Sequence, residues 1–331
     1  QRQTRLPMTA SWTCVFPTGP PALLPRSSHA ISEIGGKVYA WGGENVARTP
    51  IDTNLFVCEP LAKPPVEWEL VAAKGVPPCP RVAHSQAVVG SCIYLFGGRQ
   101  GIHMDEAPLN DMHRFDVSSG TWEAVESKAG TPPCPRSFHR MVAVGTSLYV
   151  FGGCGADGRM SDLHQFNTVT REWHALPASD AIKGRGGACF FSHEGTGKLF
   201  VVAGFAGEET NDCHVYDIST KSWRQIPLEI RPRSVCGCAT VGDLLVIFGG
   251  EVDPSEKGHE GAGAFANDVV AISAVTETLV PLSVTSAELP QERGWTACTA
   301  LGPGLCLFAG LTGSDEAPTR LADTWLLSLA Q

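Results

Sequence analysis

Six arginines, each followed at a fixed distance by a pair of small residues, constrain this chain more than any other feature. The arginines are Arg26, Arg81, Arg136, Arg185, Arg233 and Arg293. The pairs are Gly42-Gly43, Gly97-Gly98, Gly152-Gly153, Ala203-Gly204, Gly249-Gly250 and Ala309-Gly310. From arginine to second glycine the separation is 17 residues in five units and 19 in the fourth. Short apolar segments such as Leu244-Leu-Val-Ile-Phe248 lead into the pairs and read as strands bounded by turns. An Asn or Asp follows each pair (Asn54, Asp111, Asp162, Asp212, Asp268, Asp323), then another strand. In four units a turn then leads to Trp68, Trp122, Trp173 or Trp223.

Four strands in about 50 residues, repeated six times, predict an all-β, six-bladed β-propeller. The whole of residues 1–331 is expected to form one domain. Its repeats run roughly over 17–71, 72–125, 126–176, 177–226, 227–282 and 283–331, the last completed by 11–16. The sixth unit stops after Thr324-Trp-Leu-Leu-Ser-Leu329 with no fourth strand, while Ser11-Trp-Thr-Cys-Val15 carries the missing Trp12. The N-terminal strand is therefore expected to close blade six and cover an edge otherwise left unpaired. With 36 Gly and 24 Pro, turns are frequent and long helices have little room.

A net charge of −9 argues against a nucleic-acid partner. No segment approaches the roughly 18–20 consecutive apolar residues of a membrane-spanning helix, so no membrane partner is expected. Residues 1–13 lack the apolar stretch of a signal peptide. The 12 cysteines are scattered, without zinc-ribbon spacing, and read as reduced thiols of a cytoplasmic monomer.

What recurs in every blade is most simply explained by blade packing, and what occurs once is the better candidate for function. His29, His84 and His139 recur three residues after the arginine; His113, His164 and His214 recur two after the Asp. Both sets read as scaffold, leaving His103, His174, His193 and His259. Two residues after the arginine stand Phe138 and Trp295, where other blades carry Ser28, Ala83, Gly187 and Val235. By strand alternation Arg and Arg+2 face one side, so Arg81, Arg136 and Arg293 with Phe138 and Trp295 are the candidate ligand-binding rim. Guanidinium forks suit carboxylate, sulfate or phosphate; the same arginines, alternatively, brace neighbouring loops through backbone carbonyls. The longest loop on this face, 18 residues from Gly250 to Asp268, gathers Glu251, Asp253, Glu256, His259 and Glu260. Imidazole with carboxylates is a ligand set for Fe(II), Mn or Zn.

The Gly-Gly pairs after apolar strands, the spaced aromatics and the Trp resemble the kelch-repeat family over nearly the whole chain. Within it, the fifth loop and Arg293-Gly-Trp-Thr-Ala297 are similar to the plant specifier proteins, which depend on iron(II) and redirect glucosinolate breakdown. The resemblance implies a metal motif E-x3-D-x3-H, here met by Glu251 and His259 but with Ser255 in the middle and Asp253 off register. A neutral hydroxyl is a poor metal ligand, so the first expectation is a binding platform for an acidic peptide or small anionic ligand, with no cofactor and no catalytic residue. The alternative is an iron(II)-dependent, lyase-type protein acting on small sulfur-containing metabolites.

Overall fold

The computed structural model describes residues 8–16, 23–63, 67–101, 108–257 and 261–330. The proposed ligand His259 therefore lies outside the described residues, as do Glu260 and His103. Among the described residues six sheets, each built on four antiparallel strands, form the six blades, and those of blades two and six each add one short parallel strand at the outer edge. The innermost strands are Ala30–Ile34, Ser85–Val89, Arg140–Val144, Cys189–His193, Gly237–Val241 and Ala297–Leu301. Each touches the next, and the last touches the first, so they ring a central channel. The only described helical segment is a single 3-10 turn, Glu194–Thr196.

Each second strand is apolar throughout rather than alternating. Leu245, Val246, Ile247 and Phe248 are all fully buried, because each sheet is packed on both faces by its neighbours. The double-glycine rule has a steric origin. A Cβ on the second glycine of blade two, Gly98, would sit 2.8 Å from the Val82 carbonyl oxygen and 2.9 Å from the His84 Cβ. The second position is glycine in all six blades, whereas Ala203 and Ala309 occupy the first at φ 58° and 54°.

Blade six is closed by the N-terminal strand Met8–Phe16, which runs antiparallel to Pro318–Ala330 with Trp12 opposite Leu327. The Trp12 ring lies edge-on to Phe248 of blade five at 4.9 Å. Outside it, Leu282–Val284 adds a short parallel pairing, so the blade-five connection also clasps the closing strand. The recurring histidines after the arginine are wedges between blades: His29, His84 and His139 meet Phe308, Trp41 and Phe96 of the preceding blade edge-on.

Candidate functional site: a pocket at the channel mouth

The six arginines do not form the rim. All are buried, at 0–1% exposure. In blades two to six the guanidinium donates two hydrogen bonds of 2.5–3.0 Å to an aspartate of its own blade: Arg81 to Asp111, Arg136 to Asp162, Arg185 to Asp212, Arg233 to Asp268 and Arg293 to Asp323. Nη1 also donates to the carbonyl of the first residue of the small pair, as from Arg136 to Gly152 at 2.9 Å. The candidate anion ligands Arg81, Arg136 and Arg293 are thus internal braces, their forks occupied by carboxylates. His113, His164 and His214 complete three of these clusters at 2.8–2.9 Å from the same aspartates. Burial alone would raise the Asp111, Asp162 and Asp212 carboxyls. The His and Arg hydrogen bonds outweigh it and hold all three well below the usual carboxylate range.

Strand alternation fails between Arg and Arg+2 for a local reason. The Arg+2 residues Ser28, Ala83, Phe138, Gly187, Val235 and Trp295 all have positive φ, from 44° to 61°. Their amides and carbonyls link from blade to blade around the mouth: Ser28 to Trp295, Ala83 to Ser28, Phe138 to Ala83, Gly187 to Phe138, and Val235 to Gly187, at 2.8–3.0 Å. The left-handed turn separates the side chain at Arg+2 from the buried arginine. Phe138, Gly187, Val235 and Trp295 consequently line both an outer pocket of about 270 Å³ and a small cavity of about 30 Å³ on the channel side.

The pocket takes its charge from arginines outside the repeat brace. Arg48 stands in the tight turn between Glu44–Val46 and Thr49–Pro50, with its amide donating to Glu44 Oε2 at 2.5 Å. Arg99 directly follows the Gly pair of blade two and bridges Val82 through the backbone. Arg159 enters from the third-blade hairpin and lies over the Phe205 ring, 4.5 Å from its centroid. Sequence reasoning missed all three. A signal for Arg99 existed: the residue after the second glycine pairs with Arg+1 in every blade, yet its identity varies as Glu44, Arg99, Cys154, Phe205, Glu251 and Leu311. A structurally constant but chemically variable position is where a repeat scaffold differentiates.

The fifth loop reaches this pocket only in part. Glu251, Pro254 and Ser255 line it, whereas Asp253 is exposed. The Glu251 carboxyl is buried and pushed up to about 8 by that burial, with Glu209 and Asp315 adding negative charge nearby. Ser255 donates its amide to Glu251 and accepts the Lys257 amide on Oγ at 3.0 Å. Among the described residues, no three His, Cys, Asp or Glu side chains are grouped as a metal site. The described part of the motif does not converge on one point: Glu251 and Ser255 line the pocket, Asp253 is exposed, and the Ser255 hydroxyl accepts the Lys257 amide.

The recurring braces, ring and blades agree with comparisons at the level of whole chains. A family model described as the KLHDC2/KLHL20/DRC7 kelch-repeats domain matches residues 28–250. The chain belongs to the kelch-repeat family. Among its kelch relatives, N-(sulfonatooxy)prop-2-enimidothioate sulfolyase of Thlaspi arvense is 30% identical over 322 residues, covering 88% of this chain and 89% of the relative. Kelch domain-containing protein 3 of Bos taurus is 29% identical over 275 residues, covering 75% of this chain and 68% of the relative. The solved structure of YjhT superposes with a TM-score of 0.72 at 18% identity, covering 96% of this chain and all of YjhT, which speaks to the fold alone.

Proposed function

We propose that this kelch propeller is a binding platform whose mouth pocket takes a small anionic ligand with an apolar body. One observation carries the reading: Arg48, Arg99 and Arg159 line the same 270 Å³ space as Phe138, Phe205, Val235 and Trp295. The anionic head suits the guanidinium side, and the apolar body suits the aromatic walls. A guanidinium carries five donors and can serve an internal partner and a ligand together. Three arginines against one carboxyl, Glu251, make the charge balance of the lining cationic. An acidic side chain presented by a peptide offers the same chemistry on a larger partner. Sulfate and a small aryl carboxylate are the probes, and thermal shift is the readout, since a ligand selective for the folded state raises Tm by mass action. The carboxylate is expected to raise Tm more than sulfate, and Arg159→Ala to abolish most of that gain while leaving the unliganded Tm within about 2 °C. Equal shifts in wild type and variant would remove Arg159 from the site.

A second reading, a lyase acting on small sulfonatooxy anions, is favoured by the Thlaspi arvense relative, whose name describes a sulfolyase and which aligns over 88% of this chain. It shares the anion requirement with the first reading. Its iron(II) would fall to Glu251, Ser255 and His259 by resemblance. His259 lies outside the described residues, so no reaction step is drawn through a metal. Iron analysis of anaerobically purified protein, with and without His259→Ala, separates the readings: stoichiometric iron lost in the variant would favour the lyase.

A further inference from the structure

The central channel holds chemistry that neither reading uses. A cavity of about 370 Å³ runs along the inner strands on the other side of the Arg+2 ring. Among the residues facing it are Arg140, Cys238 and Cys298. Arg140 reaches from blade three past its neighbours, donating from Nε to the Ala188 carbonyl and from Nη2 to the Cys236 carbonyl, both at 3.1 Å. Those carbonyls lie one residue before Cys189 and two before Cys238, so the guanidinium is fixed beside the strands Cys189–His193 and Gly237–Val241. Across that strand pair Cys189 and Cys238 pack in one cluster of side chains. Cys298 completes the cluster: its sulfur lies 2.4 Å from where a Cβ on Gly237 would stand, space that only glycine leaves at that position.

We propose that Cys238 is a peroxide- and electrophile-reactive thiol of the channel, with Cys189 as its resolving partner. The assignment rests on three features. Cys238 faces an open cavity, a fixed cation faces the same cavity, and a second thiol packs in the same cluster from the adjoining blade. Thiolates, not thiols, attack, and a nearby cation with hydrogen-bond donors favours the thiolate. The surroundings act in that direction. The neighbouring Cys189 thiol contributes most; burial opposes it; Arg140 and the Phe190 amide assist, and Cys238 is drawn down to about 7. Cys189 and Cys298 are pushed upward, Cys189 by hydrogen bonds with its thiol neighbours and burial, Cys298 by burial. The remaining titratable groups on the channel wall, His29, His84 and Glu33, belong to blades one and two.

The chemistry balances with hydrogen peroxide as the oxidant. The Cys238 thiolate attacks one peroxide oxygen, the O–O bond breaks, and the leaving hydroxide takes a proton as water, leaving a sulfenic acid. The Cys189 thiol then attacks that sulfur, forming the S–S bond and releasing a second water. Two thiols lose two electrons and peroxide is reduced to two waters. The two cysteines lie on inner strands that pack side by side and belong to one packed cluster, so a bridge between them would join neighbouring blades.

The test uses the full chain at pH 7 with one equivalent of hydrogen peroxide, followed by peptide mass mapping. The expected product is a Cys189–Cys238 cross-linked peptide lighter by two hydrogens, formed before any change at Cys134, the exposed thiol. In Cys189→Ser, Cys238 should instead be trapped by dimedone as a sulfenic acid. Alkylation by iodoacetamide, followed peptide by peptide in the wild type, should be half-maximal near pH 7 for Cys238, and Arg140→Gln should slow it at least fivefold at that pH. Cys134 reacting first with peroxide, or a Cys238 alkylation profile centred at an ordinary thiol value of about 8.5, would overturn the proposal. The wild-type profile decides even if the variants fail to fold.

Discussion

Blades one and six sit side by side at the seam of the ring and are built in opposite ways. Blade six draws its strands from both ends of the chain, yet its Arg–Asp brace is the best buried of the five. Arg293 is fully buried and Asp323 is 12% exposed, and the Trp325 indole also donates to Asp323 at 2.7 Å. Blade one is continuous in sequence but thin, with third and fourth strands of only Phe56–Cys58 and Glu69–Leu70. Its brace is incomplete. Asn54 stands where the other blades carry Asp, and Arg26 Nη2 has no hydrogen-bond partner among the described residues. Burial accordingly lowers Arg26 to about 10, partly countered by Asp52. The contrast teaches that continuity along the chain does not decide how firmly a blade is held; the carboxylate partner for its buried cation does.

The hardest way to break the comparison is to remove the closing strand. Deleting residues 1–16 from the full chain removes Trp12, itself worth about 3–5 kcal/mol as a buried Trp, and uncovers the edge of Pro318–Ala330. Tm is expected to fall by at least about 10 °C in calorimetry. An unchanged Tm would show that blade six stands without its N-terminal strand.

Next in size is the brace itself. Asp323→Ala strands the fully buried Arg293 and should cost about 3–5 kcal/mol in urea unfolding. Asn54→Ala in blade one should cost under about 0.5 kcal/mol. Similar losses at both sites would mean that the carboxylate, rather than blade geometry, contributes little.

The smallest effect sharpens the contrast instead. Asn54→Asp should supply the missing carboxylate to Arg26 and add about 1 kcal/mol, less than in blade six because position 54 is exposed. The gain should depend on pH in a defined direction. Like Asp111, Asp162 and Asp212, whose carboxyls are depressed in the fold, the new aspartate would contribute fully above its unfolded value of about 3.9. The contribution is lost as pH falls below that toward the folded value. Urea midpoints at pH 7 and pH 3 should therefore differ more for the variant than for wild type. A gain unchanged at pH 3 would rule out the ion pair as its source.

Phe138 and Trp295 stood out in sequence because they break a column of otherwise small or aliphatic residues, and both lie on the pocket wall. The arginines beside them misled for the complementary reason. Their regular recurrence looked like a charged rim, yet it marks a brace repeated wherever a blade needs one. Arg99 sits at a position fixed in every blade but varied in residue, and Arg159 follows no spacing rule. One comes just after a glycine pair and the other from a hairpin, and only blade curvature brings them to Phe205 and Trp295.

The sequence by itself determined the blade number, the glycine pairs, the closure through Trp12 and the likeness to the kelch family. Each is a local steric or pairing requirement, met once per repeat and therefore visible as a period. Only the tertiary structure decided that the repeated arginines are buried, that Arg48, Arg99 and Arg159 share one pocket, and that Cys189 and Cys238 pack in one cluster beside the strands that Arg140 bridges. Ring closure collects one side chain from each of several blades, often 50 or more residues apart. No spacing along the chain records such a meeting, because the distance that matters runs around the ring.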